Sequence, residues 1–136
     1  MNDLPLFSYG TLLPTLAPAE LLQALNRLRS LGGASMPGQL YDLGMYPGMI
    51  FDAAATSRVL GQIFSGADEA LLCQLDEYEG HVPEQPEKSL FLRQRQQAKL
   101  DGGGEVLCWV YVYNRDPAGA PLISGGDYSA WRAAAH

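Results

Sequence analysis

The sequence predicts an α+β fold with a curved or closed sheet. Three observations predict it. Short apolar runs, rich in aromatic and β-branched residues, are punctuated by Gly and Pro through most of the chain. Two segments instead carry leucines at three- and four-residue spacing, the helical period. The 136 residues, 47% hydrophobic and 18% charged, suffice for one domain with its own core, residues 1–136, and no repeat or linker interrupts them.

The elements follow in order. Leu4 to Tyr9 is an apolar run that ends at Gly10, a strand entering a tight loop. Pro18 suits the first turn of a helix with Glu20 near its positive end. Leu21, Leu22, Leu25 and Leu28 form its stripe, Arg27 and Arg29 fall in its last turns, and Gly32-Gly33 ends it. Four short strands follow, Ala34–Met36, Gln39–Leu43, Met49–Phe51 and Val59–Phe64. Ser65-Gly66-Ala67-Asp68 resembles a capping box that opens a second helix, Asp68 to Tyr78, with Leu71, Leu72, Leu75 and Tyr78 on one face. A proline-bearing loop, His81 to Lys88, leads to a hairpin of Leu90–Leu100 and Glu105–Tyr113 around Asp101-Gly102-Gly103-Gly104. In its second strand Trp109, Tyr111 and Tyr113 alternate with Val110 and Val112, so both faces are expected to be buried. The tail from Arg115 is rich in Pro and Gly and ends on Asp127-Tyr128-Ser129-Ala130-Trp131-Arg132.

Composition narrows the function classes. Nine basic against fifteen acidic residues give a net charge of -6, which argues against nucleic acid or an anionic membrane as partner. No apolar run is long enough for a transmembrane helix, and Met1-Asn2-Asp3 opens no secretory signal, so the expectation is a cytoplasmic protein. Cys73, in the second helix, and Cys108, in a strand, read as small buried hydrophobes of a reducing compartment, although spacing does not exclude a disulfide between them. With only His81 and His136 available, and no close Cys/His spacing, no metal site is expected.

Glu79 stands out among the charged residues. It follows Leu75 by four positions and Leu72 by seven, so it extends the apolar face of the second helix. It also sits at the C-terminal end, where the macrodipole disfavours negative charge, with Gly80 as a left-handed cap. Two readings stand. The carboxylate points inward and is functional, or the helix frays at Tyr78 and Glu79 meets water. Asp76, Glu77, Glu84 and Glu87 read as a solvated acidic face rather than a cation site or a glycosidase pair. Arg93, in a strand beside Arg95, reads as a structural ion-pair residue, and Trp109 and Trp131 as packing residues.

Two further segments could carry chemistry. In Phe7-Ser8-Tyr9-Gly10-Thr11-Leu12-Leu13 a strand runs into a glycine that lets backbone N–H groups approach a carboxylate or an oxyanion. Gly38 to Met49 reads as a strand and a structured turn, with Tyr41 and Tyr46 available to line a pocket or to pack in the core.

Taken in order, these segments resemble the γ-glutamylcyclotransferase-like family, in its γ-glutamylamine cyclotransferase or AIG2-like branch. Tyr9-Gly10-Thr11-Leu12 resembles its Tyr-Gly-Ser/Thr-Leu loop, and Gly38 to Pro47 its Gly-x-Leu-Tyr…Gly-x-Tyr-Pro stretch. Val59 to Phe64 is similar to its Val-x-Gly-Glu strand, Leu75 to Gly80 to its Leu-Asp-x-Tyr/Phe-Glu signature, and Phe91-Leu92-Arg93 to its Tyr-x-Arg. Val110 to Tyr113 and Ser124 to Tyr128 match the closing strand and the Gly-Asp-Trp/Tyr tail. The set runs from residue 7 to about 128, and its specificity lies in the order rather than in any one piece.

The resemblance implies a small, mostly antiparallel β-barrel flanked by two main helices. It implies release of 5-oxoproline from a γ-glutamyl amine or peptide, with Glu79 as the catalytic general base and then acid. Tyr9, Gly10, Thr11 and Leu12 match the substrate-binding loop, and Tyr113 an aromatic position near the cavity. No cofactor and no metal is implied. The alternative class is a non-catalytic module that kept the fold and cavity to hold a small ligand. Leu13-Pro14-Thr15 stands where that branch commonly has Lys-x-Gly, Gln62 replaces the usual Glu, and Phe91 the usual Tyr. The leaving group is left open among glutathione-derived, amino-acid, ε-lysine and biosynthetic amines, and oligomeric state is not legible.

Overall fold

A computed structural model describes residues 4–10 and 19–134. Its strands are β1 (Leu6–Ser8), β2 (Arg29–Asp42), β3 (Pro47–Phe51), β4 (Arg58–Ser65), β5 (Phe91–Leu100) and β6 (Glu105–Tyr113). Its helices are α1 (Ala19–Leu25), α2 (Glu69–Glu79) and α3 (Tyr128–Ala134), with a short 3-10 turn at Pro86–Lys88. The strands run in the order β3-β2-β4-β1-β6-β5, and a β2–β5 pairing through Ala34↔Leu100 and Ser35↔Lys99 closes five of them into a barrel. All pairings are antiparallel except β1 with β6. The α+β expectation and the barrel are both observed.

Strand β2 explains how the barrel carries an extra strand. Its first half pairs with β4 as far as Pro37↔Arg58, and its second half pairs with β3 from Gly38↔Phe51 onward. Two of the expected strands, Ala34–Met36 and Gln39–Leu43, are therefore halves of one, and Pro37 marks the seam where the partner changes.

Alternation along the strands sorts side chains into two cores. Phe7, Met36, Ile63, Cys108, Val110 and Val112 fill the barrel, joined by Tyr128 of α3. Their neighbours Leu6 and Tyr111 face the other way and pack with Leu21 and Leu25 of α1 and Leu71, Leu72 and Leu75 of α2. Both faces of β6 are thus covered, as its sequence requires. The hairpin at Asp101–Gly104 is present, with Phe91↔Tyr113 through Lys99↔Glu105 in register.

Four expectations need correction. Helix α1 ends at Leu25, not at Gly32-Gly33, and Arg29 already lies in β2, where the register shifts between Ser30 and Gly32. The N-cap of α2 is Asp68 itself, whose Oδ1 accepts the Leu71 N–H at 2.9 Å, so Ser65 is not the capping residue. Tyr78 is 42% exposed and lies off the apolar face. Cys73 is exposed rather than buried, while Cys108 is buried as expected, and both thiols are free.

Candidate active site

The last turn of α2 carries the site. The helix continues through Glu79 and stops at Gly80, whose φ of 74° places it in the left-handed region. The N–H of Gly80 donates to Glu77 and that of His81 to Asp76, at 3.3 and 2.8 Å, which satisfies carbonyls the helix leaves open. This closure fixes the direction of Glu79. The helix does not fray, and the Glu79 carboxyl is turned away from open solvent.

Glu79 is half-buried. Burial pushes its carboxyl from an ordinary 4.5 up to about 7. Among the described residues no ion pair or hydrogen bond to its carboxylate offsets that burial. The helix end adds a field of the same sign. A carboxyl of this kind holds and releases a proton near neutrality.

Tyr9 lies within the field of Glu79. The Tyr9 hydroxyl donates to the Tyr111 carbonyl at 2.5 Å and accepts the Met49 N–H at 3.3 Å. Burial drives the phenol far above its usual range, and the charge of Glu79 drives it further. Tyr9 is therefore a neutral strut between β3 and β6, with its polar atom fully used. Gly10, next in the loop, packs so closely that a Cβ there would lie 2.8 Å from Pro47 Cγ. Thr11 and Leu12, the other two loop residues of the sequence reading, lie outside the described residues.

Asp76 was expected to face water, and it does not: it is 8% exposed. Arg93 grips it with two bonds, Nε to Oδ1 at 2.7 Å and Nη2 to Oδ2 at 3.0 Å, and the Tyr111 hydroxyl donates to Oδ1 at 2.6 Å. Arg93 in turn stacks 4.3 Å from the centre of the Trp109 ring. The sequence did carry a signal for this. Asp76 is four residues after Leu72, the same arithmetic that turned Glu79 inward. Arg93 is the structural ion-pair residue its setting predicted.

Tyr113 reaches a separate wall. A cavity of about 510 Å³ is lined by Asp42, Leu43, Gly44, Tyr46, Tyr113 and the segment from Asp116 to Pro121. Tyr46 is thus a cavity residue, while Tyr41 instead bridges to Leu122. Glu79 is not in this wall. Tyr78 lies in the fields of both Glu79 and Tyr46: its phenol is raised by burial first and by those two groups after it. Phe91 links the aromatic side, 5.8 Å from the Tyr46 ring and 5.4 Å from that of Tyr113. Asp42 is held below the usual carboxylate range by the Trp131 N–H, which it accepts at 2.9 Å, and by the Gly44 N–H. Among the described residues no three His, Cys, Asp or Glu side chains gather as a metal site.

The sequence profile of the family described as γ-glutamyl cyclotransferase, AIG2-like, matches residues 6–130. The chain belongs to this family. A curated relative, the γ-L-glutamyl-butirosin B γ-glutamyl cyclotransferase of Niallia circulans, is 36% identical over 84 residues, 61% of this chain and 51% of the relative. The match thus spans about half the length of that relative. Among solved structures, the YtfP protein of Escherichia coli is similar over 91% of this chain and 95% of its own, with 28% identity and a TM-score of 0.62. A mouse AIG2-like protein shares the fold over 91% of this chain and 88% of its own, with 21% identity and a TM-score of 0.66. The family's α+β barrel is the fold of this chain.

Proposed function

We propose that this protein is a cytoplasmic cyclotransferase that releases 5-oxoproline from a γ-glutamyl amine or peptide, with Glu79 as general base and then general acid. The observation that carries the reading is the Glu79 carboxyl, desolvated at the capped end of α2, without an ion pair among the described residues and poised at about 7. Membership of the family supports it, as does the cyclotransferase name of the Niallia circulans relative.

The chemistry needs little else. A γ-glutamyl group carries its own nucleophile, the α-amine, and its own electrophile, the γ-carbonyl. Attack of the amine nitrogen on that carbonyl closes a five-membered ring, and breaking the amide C–N bond frees the leaving amine. Because the attack is intramolecular, holding the substrate in a reactive pose supplies much of the acceleration. The α-ammonium, with an ordinary pKa of about 8, must first lose a proton. The Glu79 carboxylate takes it and the resulting acid returns one to the leaving nitrogen, while the second proton that the ring nitrogen sheds as the lactam forms goes to solvent or to the freed amine. A group near 7 suits both directions.

In this reading the Tyr9-Gly10-Thr11-Leu12 loop binds the γ-glutamyl end through backbone donors. Tyr113, with Tyr46, lines the side that receives the leaving group. The test is 5-oxoproline release from a panel of γ-glutamyl amides, wild type beside Glu79→Gln. Release that collapses in the variant supports the reading and ranks the leaving groups. Full turnover by Glu79→Gln removes Glu79 from the chemistry, and no release by the wild type from any amide overturns the enzymatic assignment.

A further inference from the structure

We propose that Asp42 is the positioning residue of the cavity: its carboxylate and its backbone N–H fasten the two cavity walls to each other and to α3, and so set the size of the leaving amine that fits. The inference rests on the reading of this cavity as the leaving-group side. The fastening itself does not depend on that reading.

Asp42 ends β2, and its polar atoms serve three segments. Oδ1 accepts the Gly44 N–H at 2.8 Å, and the Leu43 N–H donates to the Tyr46 carbonyl at 3.0 Å, which together close a tight turn. That turn is one wall of the cavity, with Leu43, Gly44 and Tyr46 in it. The Asp42 backbone N–H donates to the Pro121 carbonyl at 2.9 Å, at the end of the facing wall that begins at Asp116. Oδ2 accepts the Trp131 indole N–H of α3 at 2.9 Å. Both side-chain bonds are charge-assisted, and the two donors hold the carboxyl ionised.

The facing wall and α3 are one stretch of chain. From Pro121 it crosses β2, through the Tyr41↔Leu122 bridge and the Ile123 N–H on the Leu40 carbonyl at 2.8 Å. It turns at Gly126 and enters α3, where Asp127 Oδ1 accepts the Ala130 N–H at 3.1 Å. The segment that leaves the Asp42 backbone at Pro121 thus returns to the Asp42 carboxylate at Trp131. The turn has no room to move inward. A Cβ on Gly48 would lie 2.5 Å from Leu43 Cδ1 and 3.2 Å from Tyr113 Cβ. Release of the Asp42 bonds therefore lets the wall swing outward and widens the cavity.

This wall is also close to the end of α2. The Leu90 N–H donates to the Gly80 carbonyl and the Asn114 N–H to the Leu90 carbonyl, both at 2.9 Å. Two backbone bonds separate the residue after Glu79 from the residue after Tyr113, about 10 Å at strand spacing. An amine leaving from a γ-glutamyl group at Glu79 meets the cavity within that reach.

The experiment compares Trp131→Phe, Asp42→Asn and the double variant on γ-glutamyl methylamide and γ-glutamyl benzylamide, beside backbone amide NMR of each free protein. Trp131→Phe removes the donor and keeps an aromatic ring. In it the amide resonances of Leu43, Gly44 and Gly119 move together, although none lies on α3. KM for the benzylamide rises by about tenfold, while KM for the methylamide and kcat for both stay within about twofold of wild type. Asp42→Asn has one acceptor oxygen for two donors and shows the same pattern. The double variant is no worse than the more affected single one, because both remove the same bond. A merely structural role would change both amides alike. Resonance changes confined to α3, equal changes in KM for the two amides, or additive effects in the double variant overturn the inference. Trp131→Phe carries the test where Asp42→Asn does not fold. Where the wild type cyclises no amide, the proposed reaction fails, and the wall resonances of Trp131→Phe still decide the role of Asp42: movement of both walls upholds it and movement of α3 alone overturns it.

Discussion

The phenol of Tyr9 and the backbone carbonyl of Tyr111 meet at 2.5 Å, although 102 positions separate them in the chain. The contact ties the loop after β1 to β6, and the Met49 N–H bonded to the same oxygen ties in β3. Tyr111 is also bonded through its own hydroxyl to Asp76, so one residue links the proposed substrate loop to the helix that carries Glu79. The candidate site is therefore held by backbone and phenol contacts, one of them to the Asp76 carboxylate.

Tyr9→Phe removes the shared oxygen and leaves the Met49 N–H and the Tyr111 carbonyl without it. Two partly buried polar groups lose a partner, so the variant is less stable by about 1 to 3 kcal/mol in urea denaturation. The acid limb of its kcat/KM profile stays near 7, because the phenol makes no bond to Glu79. A limb displaced by Tyr9→Phe would show that the hydroxyl acts on the carboxyl directly.

Glu79 ties stability to pH with a definite sign. Its folded value of about 7 stands above the ordinary 4.5, so the folded protein holds this proton more tightly than the unfolded chain. The cost of ionising it is absent near pH 4, grows between 4.5 and 7, and is complete above 7, where it reaches about 3 kcal/mol. Glu79→Gln is therefore more stable than wild type by about that amount at pH 8, and the two converge at pH 4. Activity runs the other way. The wild-type profile falls on the acid side with a pKa of about 7, and the variant loses about 10²- to 10⁴-fold without showing that limb. Equal stability differences at both pH values would place the carboxyl in water.

Much of this site was legible because it is written in one helix. The spacing from Leu72 and Leu75 and the glycine cap offered an inward Glu79 beside a frayed, solvated one, and the unbroken helix decides for the inward direction. Asp76 was not legible in the same way. Its burial depends on Arg93, 17 residues on, and on Tyr111, 35 residues on, partners that only the closed barrel brings together. A lone aspartate on a helix reads as solvated until its cation is known. The early end of α1 was hidden for a related reason. Leu28 and Arg29 continue a helical pattern, but β4 offers Arg29 a partner in Ser65, and pairing outweighs propensity. Tyr46 was open to either a pocket or the core, and the cavity wall formed by the segment from Asp116 to Pro121 left no signal beyond turn composition.

The two thiols differ by location. Cys73 follows the buried Leu72 on α2 but is turned to solvent, whereas Cys108 lies inside the barrel with its Sγ 3.4 Å from the Gln96 carbonyl. Burial pushes the Cys108 thiol up to about 12, which leaves almost no thiolate at neutral pH. A disulfide-exchange reagent added to the native protein titrates one thiol rapidly and the second only on unfolding. Cys73→Ser abolishes the rapid phase and leaves turnover unchanged. Two rapid equivalents would mean that the barrel opens without global unfolding.

Gly10 tests the proposed loop independently of Glu79. A Cβ at this position meets Pro47 at 2.8 Å from Cγ and 3.3 Å from Cδ, and lies 3.9 Å from the Tyr128 ring. Pro47 cannot yield easily, since it opens β3 in register with Asp42 of β2. In Gly10→Ala the loop is therefore the part that moves. A displacement of about 1 Å between a bound γ-glutamyl group and its base lowers kcat/KM by about 100-fold. The titration of Glu79 stays near 7, because the new methyl group carries no charge and α2 is not touched. Separating these two readouts distinguishes loss of substrate positioning from damage to the base. Wild-type kcat/KM in Gly10→Ala would show that the chain around Tyr9 does not hold the substrate.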